Sequence, residues 1–150
     1  MQYSEGSLGR IFVIRIDDGE DFIESITSFA LEKNVHSGLV IFLGALRKGM
    51  LVTGPKDPII PPTPHYETFK DAWETLGMAT IYPGEKDEPT IHIHASAGKG
   101  QKVLTGCLRD KAETYLIIEA ILIEFYGLGA KRVLDETMGL QLLSLDKRLP

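Results

Sequence analysis

In the first third of the chain, one segment has the hydrophobic periodicity of a helix, and the apolar segments around it are short. Isoleucine and valine dominate residues 10–16, a composition typical of a β-strand. An acidic segment at residues 17–21 follows, and its aspartates suit the positively polarised N-terminus of a helix. From Asp21 to Asn34, apolar residues recur at steps of three and four, which predicts an amphipathic helix with one buried face.

The middle of the chain predicts strands that are separated by turns rich in proline and glycine. Residues 38–46 form an apolar run typical of a buried strand, and residues 50–52, after a Lys-Gly pair, are predicted as its hairpin partner. Prolines cannot donate to a β-ladder, so residues 54–64 are expected to form an extended surface loop within the domain. Two more strands are predicted at residues 66–69 and 73–82.

The last third contains the most apolar segment of the chain. Residues 114–125 are apolar at nearly every position, and their isoleucines favour a buried strand. A buried helix of the same length fits the pattern as well, because periodicity does not separate the two. A short strand is predicted at residues 139–145, after a turn at residues 135–137.

Composition and charge narrow the class of protein. At 150 residues, with 43% hydrophobic and 25% charged residues, the chain is expected to form a single domain over residues 1–150. A single cysteine and the lack of a secretion-signal pattern predict a cytoplasmic protein. No membrane association is expected, because Glu119 and Glu124 interrupt the longest apolar run. A net charge of -5 argues against a large DNA-binding surface.

Two of the four histidines and the only cysteine lie on one predicted β-hairpin. With the hairpin tip at residues 99–100, His92 is expected opposite Cys107, and His94 opposite Thr105. Alternation along each strand then places these four side chains on one polar face, while the other face is apolar and belongs to the core.

This polar face is a candidate metal site formed by His92, His94 and Cys107. Opposed and alternate strand residues lie within roughly 5–7 Å, so two imidazoles and a thiolate can reach one ion. Such ligands suit Zn²⁺, with other divalent transition metals as alternatives, and three of them leave a fourth position open. Because His-x-His on a strand is weakly specific, the competing interpretation is a solvated polar face without an ion.

The chain resembles the PPC (plants and prokaryotes conserved) family over nearly its whole length. The resemblance rests on the order and spacing of short segments, which are residues 10–22, 38–46, His92-Ile93-His94-Ala95, Gly106-Cys107-Leu108 and residues 135–140. In that family the motif after the hairpin usually reads Gly-His-Leu, and three histidines form a metal site in some single-domain members. Here Cys107 replaces the third histidine with a softer ligand, which favours zinc.

The resemblance implies an α+β fold in which a strongly bent mixed or antiparallel sheet packs on one main helix at residues 21–34. It implies an architecture similar to α-acetolactate decarboxylase, and it favours a central strand at residues 114–125. It also implies a homotrimer, in which a neighbouring subunit would cover the second apolar face of that strand.

Three functions follow from these observations, and the first is preferred. It is a metal-binding, homotrimeric domain with an unknown small-molecule or regulatory role. The second is a DNA-associated protein that acts through its oligomer, although this sequence has no Arg-Gly-Arg-Pro segment of the kind that AT-hook members of the family use. The third is a metal-dependent lyase or hydrolase on a small acid.

The third function needs a cation and an acid or base beside the ion. Arg109 is the candidate cation, because it lies on the polar face of the hairpin. Glu74, Glu119 and Glu124 are candidate acids, but a solvated arginine and edge or interface carboxylates are simpler roles for these residues. No catalytic residue is assigned on these grounds.

Overall fold

The computed structural model describes residues 1–146 and forms an antiparallel sheet with one helix. The elements in chain order are β1 (Ser7–Asp17), α1 (Phe22–Glu32), β2 (Gly38–Pro55), β3 (Pro64–Pro83), β4 (Pro89–Lys99), β5 (Lys102–Tyr126), β6 (Ala130–Asp135) and β7 (Leu140–Leu145). The α+β class is confirmed, and every strand pair in the described range is antiparallel. A domain spanning residues 1–150 stays a prediction.

The main sheet closes on itself because β5 is long enough to pair with three other strands. Its order is β1-β5-β2-β3-β4, and β4 also pairs with β5, so β2, β3, β4 and β5 form a ring. The first part of β5 lies between β4 and the end of β2, whereas its second part lies between β1 and the start of β2. Strands β6 and β7 form a separate two-stranded ribbon.

Irregular positions bend the long strands without ending them. In β3, Asp71 and Ala72 have φ of 71° and 56°, and in β5 the same left-handed region is found at Asp110 and Leu116. Register shifts between β2 and its neighbours occur near Lys48. Such bulges insert a residue and increase the local twist, which lets a sheet of this length curve into a ring.

These bends correct two sequence predictions. Residues 50–52 do not form a hairpin partner of residues 38–46, because the chain does not reverse after Lys48 and both segments belong to β2. Residues 66–69 and 73–82 are likewise one strand, β3. In each case a bulge interrupts the alternation of side chains much as a turn would, so the sequence pattern alone does not separate a bulge from a turn.

The helix lies where the sequence predicts it. Asp21 is its N-cap, with a side-chain oxygen that accepts a hydrogen bond of 3.0 Å from the Glu24 backbone N–H. The other carboxylate oxygen of Asp21 accepts from the backbone N–H of Ala112 in β5 at 2.8 Å, so the cap also ties the helix to the sheet. Phe22 is fully buried on α1 and packs against Phe42 of β2, with ring centroids 4.4 Å apart.

Residues 114–125 form a strand, the second part of β5, and not the alternative helix. The inner face of this segment is buried, with Ile118, Ala120 and Leu122 among the core residues. Its outer face is mostly apolar, with Glu119 as the charged exception, and it is uncovered, since Ile121 is 45% exposed.

Exposed apolar side chains continue across four strands of the outer face. The cross-strand pairs Val13–Ile121, Ile121–Ile41 and Ile41–Met78 form one row, and Met78 is paired in turn with His94. We call Val13, Ile121, Ile41 and Met78 the outer apolar row. All four are exposed, with Val13 at 84%.

The remaining connections agree with the sequence pattern. Residues 56–63 link β2 to β3 as a mostly exposed loop, and β7 occupies the predicted C-terminal strand. The sequence analysis missed β6, which precedes it. In the part of the chain that the structure describes, no helix has the length and apolar character needed to cross a membrane.

Candidate metal centre

The hairpin between β4 and β5 has a register that differs from the predicted one by two residues. His94 lies opposite Cys107, Ser96 lies opposite Thr105, and the pairing runs to Lys99–Lys102. The prediction that His92 faces Cys107 is therefore wrong. The tip is formed by the next two residues, Gly100 and Gln101, because Gly100 supplies the positive φ of 60° that the tight turn needs.

The two faces of the hairpin are nevertheless as predicted. A shift of two residues preserves the alternation of side chains, so His92, His94 and Cys107 stay on one face while Ile93 and Ala95 point into the core. The potential ligand atoms of the three residues all lie within 4.8 Å of one another. The imidazole rings of His92 and His94 meet edge to face, with centroids 5.0 Å apart.

The three side chains differ in solvent access. Cys107 is 6% exposed, His92 is half-buried and His94 is exposed. On the neighbouring strand β3, Met78 lies opposite His94 and Thr80 lies opposite His92. The candidate site therefore lies on the outer face of the sheet, at the end of the outer apolar row.

Burial favours the neutral forms of His92 and Cys107. Burial first, and then the nearby charges of Arg132, His94 and Arg109, lower the pKa of His92 to about 4. Burial raises the pKa of the Cys107 thiol, against the opposing influence of Arg109 and Arg132. A neutral imidazole is ready to bind an ion, whereas the thiol must first release its proton.

Arg132 is the polar residue beside this site that the sequence analysis did not single out. It lies on β6, is 7% exposed, and its Nη2 donates to Thr80 Oγ1 at 2.8 Å. The same Nη2 lies 3.4 Å from His92 Nδ1. Little in the sequence indicates that Arg132 belongs to the site, because it is 40 positions from His92 and is one residue of an ordinary Lys-Arg pair.

Two cavities flank the candidate site. The arginine cavity has a volume of about 370 Å³ and lies against β4 and the β6–β7 ribbon, where its lining includes His92, Arg109 and Arg132. The proline cavity has a volume of about 540 Å³, and its lining includes His94, Cys107, Arg109, Tyr66 and three prolines of the β2–β3 connection. Arg109 and Leu140 line both cavities, so the predicted cation does lie beside the three candidate ligands.

The carboxylates considered as catalytic acids are not brought to the site. Neither Glu74 nor Glu119 lines either cavity, and Glu124 is held by Arg10 and Tyr126 elsewhere on the sheet. The other two histidines are exposed, as expected. His36 is hydrogen-bonded to Asn34, and His65 to Thr53.

Comparison with known families identifies the family of this chain. A model of the Plants and Prokaryotes Conserved (PCC) domain matches residues 3–126. The chain belongs to this family. It is the family abbreviated PPC above, so the resemblance is confirmed. The matched PPC residues include all three candidate ligands but end before β6, which supplies Arg132. No curated protein matches this PPC chain significantly.

Solved structures of similar fold cover almost the whole chain. A metal-containing protein from Archaeoglobus fulgidus is 26% identical, covers 96% of this chain with 99% of its own, and has a TM-score of 0.84. A PPC protein from Pyrococcus horikoshii is 22% identical, with coverage of 98% and 99% and a TM-score of 0.81.

A third structure carries a different functional name. It is a "putative DNA-binding protein" from Bacteroides thetaiotaomicron, which is 20% identical, with coverage of 95% and 99% and a TM-score of 0.76. At this level of identity the likeness establishes the fold. The expected similarity to α-acetolactate decarboxylase stays a prediction.

Proposed function

We propose that this PPC domain binds one divalent transition-metal ion, with Zn²⁺ as the preferred ion, through His92, His94 and Cys107. The observation that supports the proposal is the convergence of three potential ligand atoms within 4.8 Å on one sheet face. Zinc contacts of about 2.0–2.3 Å to nitrogen and sulfur place such ligands roughly 3.5 Å apart around the ion. The observed limit of 4.8 Å is within about 1.5 Å of that spacing.

The donor chemistry favours zinc over harder ions. Two imidazoles and a thiolate match borderline and soft metals, whereas Mg²⁺ and Ca²⁺ prefer oxygen ligands. The name of the Archaeoglobus fulgidus structure, a metal-containing protein, is consistent with an ion in this fold. We also propose a cytoplasmic location, because a reducing compartment keeps the single cysteine available as a ligand.

We propose ligand binding or regulation rather than catalysis as the role of the ion. Three protein ligands would leave one position for a small molecule. Two cavities flank the three side chains, since His92 lines one and His94 and Cys107 line the other. A lyase or hydrolase needs an acid or base near the ion, and in the described residues no Asp or Glu lines either cavity.

We propose a homotrimer as the assembly, in keeping with the family resemblance. The outer apolar row exposes four large apolar side chains side by side on the outer face of the sheet. Contiguous exposed apolar surface of this kind marks an interaction site, and a second copy of the chain offers a matching surface.

DNA association is the weaker alternative. It is supported by the name of the Bacteroides thetaiotaomicron structure. The net charge of -5 opposes it, because phosphate contacts supply most of the affinity of proteins for DNA. Arg109 and Arg132, the two arginines near the candidate site, both line a small cavity, and this favours a small ligand over a DNA duplex.

Metal analysis of purified protein tests the proposal. Protein that is incubated with Zn²⁺ and then dialysed should retain about one ion per chain, as measured by inductively coupled plasma mass spectrometry. His94→Ala and Cys107→Ser should each lower the retained zinc at least tenfold, because either change leaves two protein ligands. His65→Ala removes an exposed histidine outside the set and is the matched control.

Cobalt gives a second readout that reports the ligand itself. Co²⁺ bound by a thiolate shows a sulfur-to-metal charge-transfer band, so the wild type should show this band and Cys107→Ser should lack it. A wild-type protein that retains no ion, or a Cys107→Ser variant that keeps both its zinc and the band, would contradict the proposal.

A further inference from the structure

Arg132 is a buried cation without an acidic partner. Its side chain is 7% exposed, and within residues 1–146 no carboxylate lies at ion-pair distance from it. Its Nη2 donates to Thr80, and its guanidinium lies 5.7 Å from the centre of the Tyr82 ring. Its Nε is buried and has no hydrogen-bond acceptor.

A charge in this position is costly unless something compensates it. Buried ions in proteins are normally paired and hydrogen-bonded, because transfer from water to the interior otherwise costs several kcal/mol. A hydroxyl oxygen and the face of an aromatic ring offset part of that cost, but neither carries a negative charge. Arg132 therefore lacks the negatively charged partner that a buried cation normally has.

The arginine cavity provides the space for such an anion. Its volume of about 370 Å³ suits a small molecule, and both Arg132 and Arg109 line it. No Asp or Glu is among its lining residues in the described chain, so nothing in the wall neutralises the two guanidinium groups. Two arginines that converge on one cavity are typical of carboxylate and phosphate recognition.

The other walls of the cavity distinguish between these anions. Ile91, Leu134, Leu140 and Leu142 also line this cavity and give it apolar surface in addition to the two arginines. A fully hydrated inorganic anion gains nothing from that surface, whereas an organic acid buries its hydrocarbon part there.

An ion at the neighbouring site would strengthen the preference for an anion. Two arginines and a divalent metal, set against one thiolate, leave the surroundings net positive. A histidine ring that binds a metal usually donates the N–H of its other nitrogen to an acceptor. Arg132 instead places an N–H donor near His92 Nδ1, so it does not provide that acceptor. An anion in the cavity would accept from Arg132 instead.

We propose that the arginine cavity binds the carboxylate group of a small aliphatic carboxylic acid, with Arg132 and Arg109 as its cationic contacts. The inference goes beyond the proposed metal binding and does not depend on it, because the two arginines and the cavity are present without an ion. The carboxylate contacts the guanidinium groups of Arg132 and Arg109, and the hydrocarbon part packs against the apolar residues that line the same cavity.

Titration of the metal-free full-length protein tests this proposal. The probes are 3-methylbutanoate, its uncharged amide 3-methylbutanamide, and inorganic phosphate, each followed by NMR chemical-shift changes. We expect the carboxylate to bind at least tenfold more tightly than either of the other two probes. Equal binding of the amide would overturn the role of the charge, and tighter binding of phosphate would overturn the choice of a carboxylic acid.

Two variants locate the site. Arg109→Gln changes an exposed residue and should weaken binding of 3-methylbutanoate about tenfold, while Arg132→Met should abolish it. Arg15→Gln, an exposed arginine on β1, is the matched control and should bind as the wild type does. Unchanged binding in Arg109→Gln would contradict the proposal even if Arg132→Met failed to fold.

Thermal stability separates a ligand site from a structural role. If Arg132 awaits an anion, Arg132→Met should keep or raise the Tm of the ligand-free protein, and 3-methylbutanoate should raise the Tm of the wild type only. A structural arginine predicts a lower Tm in Arg132→Met and no response of the wild type to the acid. Repeating the titration with zinc-loaded protein shows whether the ion contributes, so failure of metal binding and failure of anion binding are distinguishable.

Discussion

Glu124 shows how a single buried carboxylate is kept charged in this fold. It is 3% exposed on β5 and accepts hydrogen bonds from Arg10 Nε at 2.6 Å and Arg10 Nη2 at 2.8 Å. The Tyr126 hydroxyl donates to the same carboxylate at 2.8 Å. The hydrogen bonds from Arg10 are the main reason that the pKa of Glu124 falls to about 2, although burial acts in the opposite direction.

Replacing this carboxylate should cost stability in a way that depends on pH. Glu124→Gln should lower the free energy of unfolding by about 2 kcal/mol at neutral pH, because Arg10 loses its partner but remains half exposed. Because its pKa is depressed, the Glu124 carboxylate stabilises the native state at pH values above its ordinary pKa of 4.5. This stabilisation is lost as the pH falls toward about 2. The difference between wild type and variant should therefore shrink in acid.

Urea unfolding at fixed protein concentration measures this difference at neutral and at acidic pH. Glu119→Gln, which changes an exposed carboxylate on the same strand, is the control and should cost much less. A penalty for Glu124→Gln that stays constant with pH would mean that packing, and not the ion pair, is responsible.

Residue identity and spacing on one hairpin were enough to select the candidate ligands. Histidine and cysteine are uncommon here and bind metals, so His92, His94 and Cys107 attracted attention without any structure. Arg132 was missed because an arginine on a surface-like Lys-Arg pair is usually solvated. Its burial follows from contacts with β3 and β4, which the local sequence does not contain.

At the scale of elements, the junction of β2 and β5 positions Cys107. Val52 of β2 lies opposite Cys107, and the preceding residue, Gly106, lies opposite Ala95 of β4. A Cβ atom at Gly106 would collide with the backbone carbonyl of Val52 and come within 3.1 Å of the Thr53 Cα. The absence of a side chain at this glycine therefore lets the two strands approach next to the candidate ligand.

Gly106→Ala should separate these strands and move Cys107. We expect a loss of about 1–3 kcal/mol in the free energy of unfolding, because backbone atoms cannot yield as a flexible side chain does. Zinc retention should fall as well, since the thiol no longer meets the two imidazoles. Chemical unfolding and metal analysis on the same preparations measure both effects.

Gly98→Ala, on the same hairpin, is the matched control. A Cβ atom there has no neighbour closer than 3.8 Å, so stability and zinc retention should change little. If Gly106→Ala behaved like Gly98→Ala, the close approach of β2 would not be needed for the geometry of the candidate site.

In the β4–β5 hairpin, the sequence pattern predicts the two faces but not the register. Alternation identified the polar and apolar faces of β4 and β5 correctly, because that pattern repeats every two residues whatever the partner strand does. The register was wrong by two residues, because either Lys99-Gly100 or Gly100-Gln101 can form a tight turn. The pairing of β4 with β3 and of β5 with β2 selects between them in the folded protein.

For the whole molecule, the outer apolar row predicts self-association. Ile121→Lys places a charge in the middle of the row, and we expect it to convert the proposed trimer into a monomer. Light scattering coupled to size-exclusion chromatography measures the mass, and circular dichroism checks that the fold is kept. Leu31→Lys changes an exposed leucine on α1, outside the row, and should leave the mass unchanged.

A wild-type protein that is monomeric at micromolar concentration would contradict this prediction, as would an Ile121→Lys variant that keeps the wild-type mass. The same variant also tests the candidate metal centre, because Met78 of the row is paired with His94. A variant that dissociates but retains zinc would show that one chain suffices for the proposed site.

The sequence by itself determined the helix, the faces of the hairpin, the choice of candidate ligands and the family. These depend on the order of neighbouring residues, since helical and strand periodicity and short motifs are local properties. Only the tertiary structure decided the hairpin register, the continuity of β2 and β3, and the position of Arg132 beside His92. Each of these depends on pairing between segments far apart in the chain, where packing against a third strand decides between arrangements that are locally equivalent.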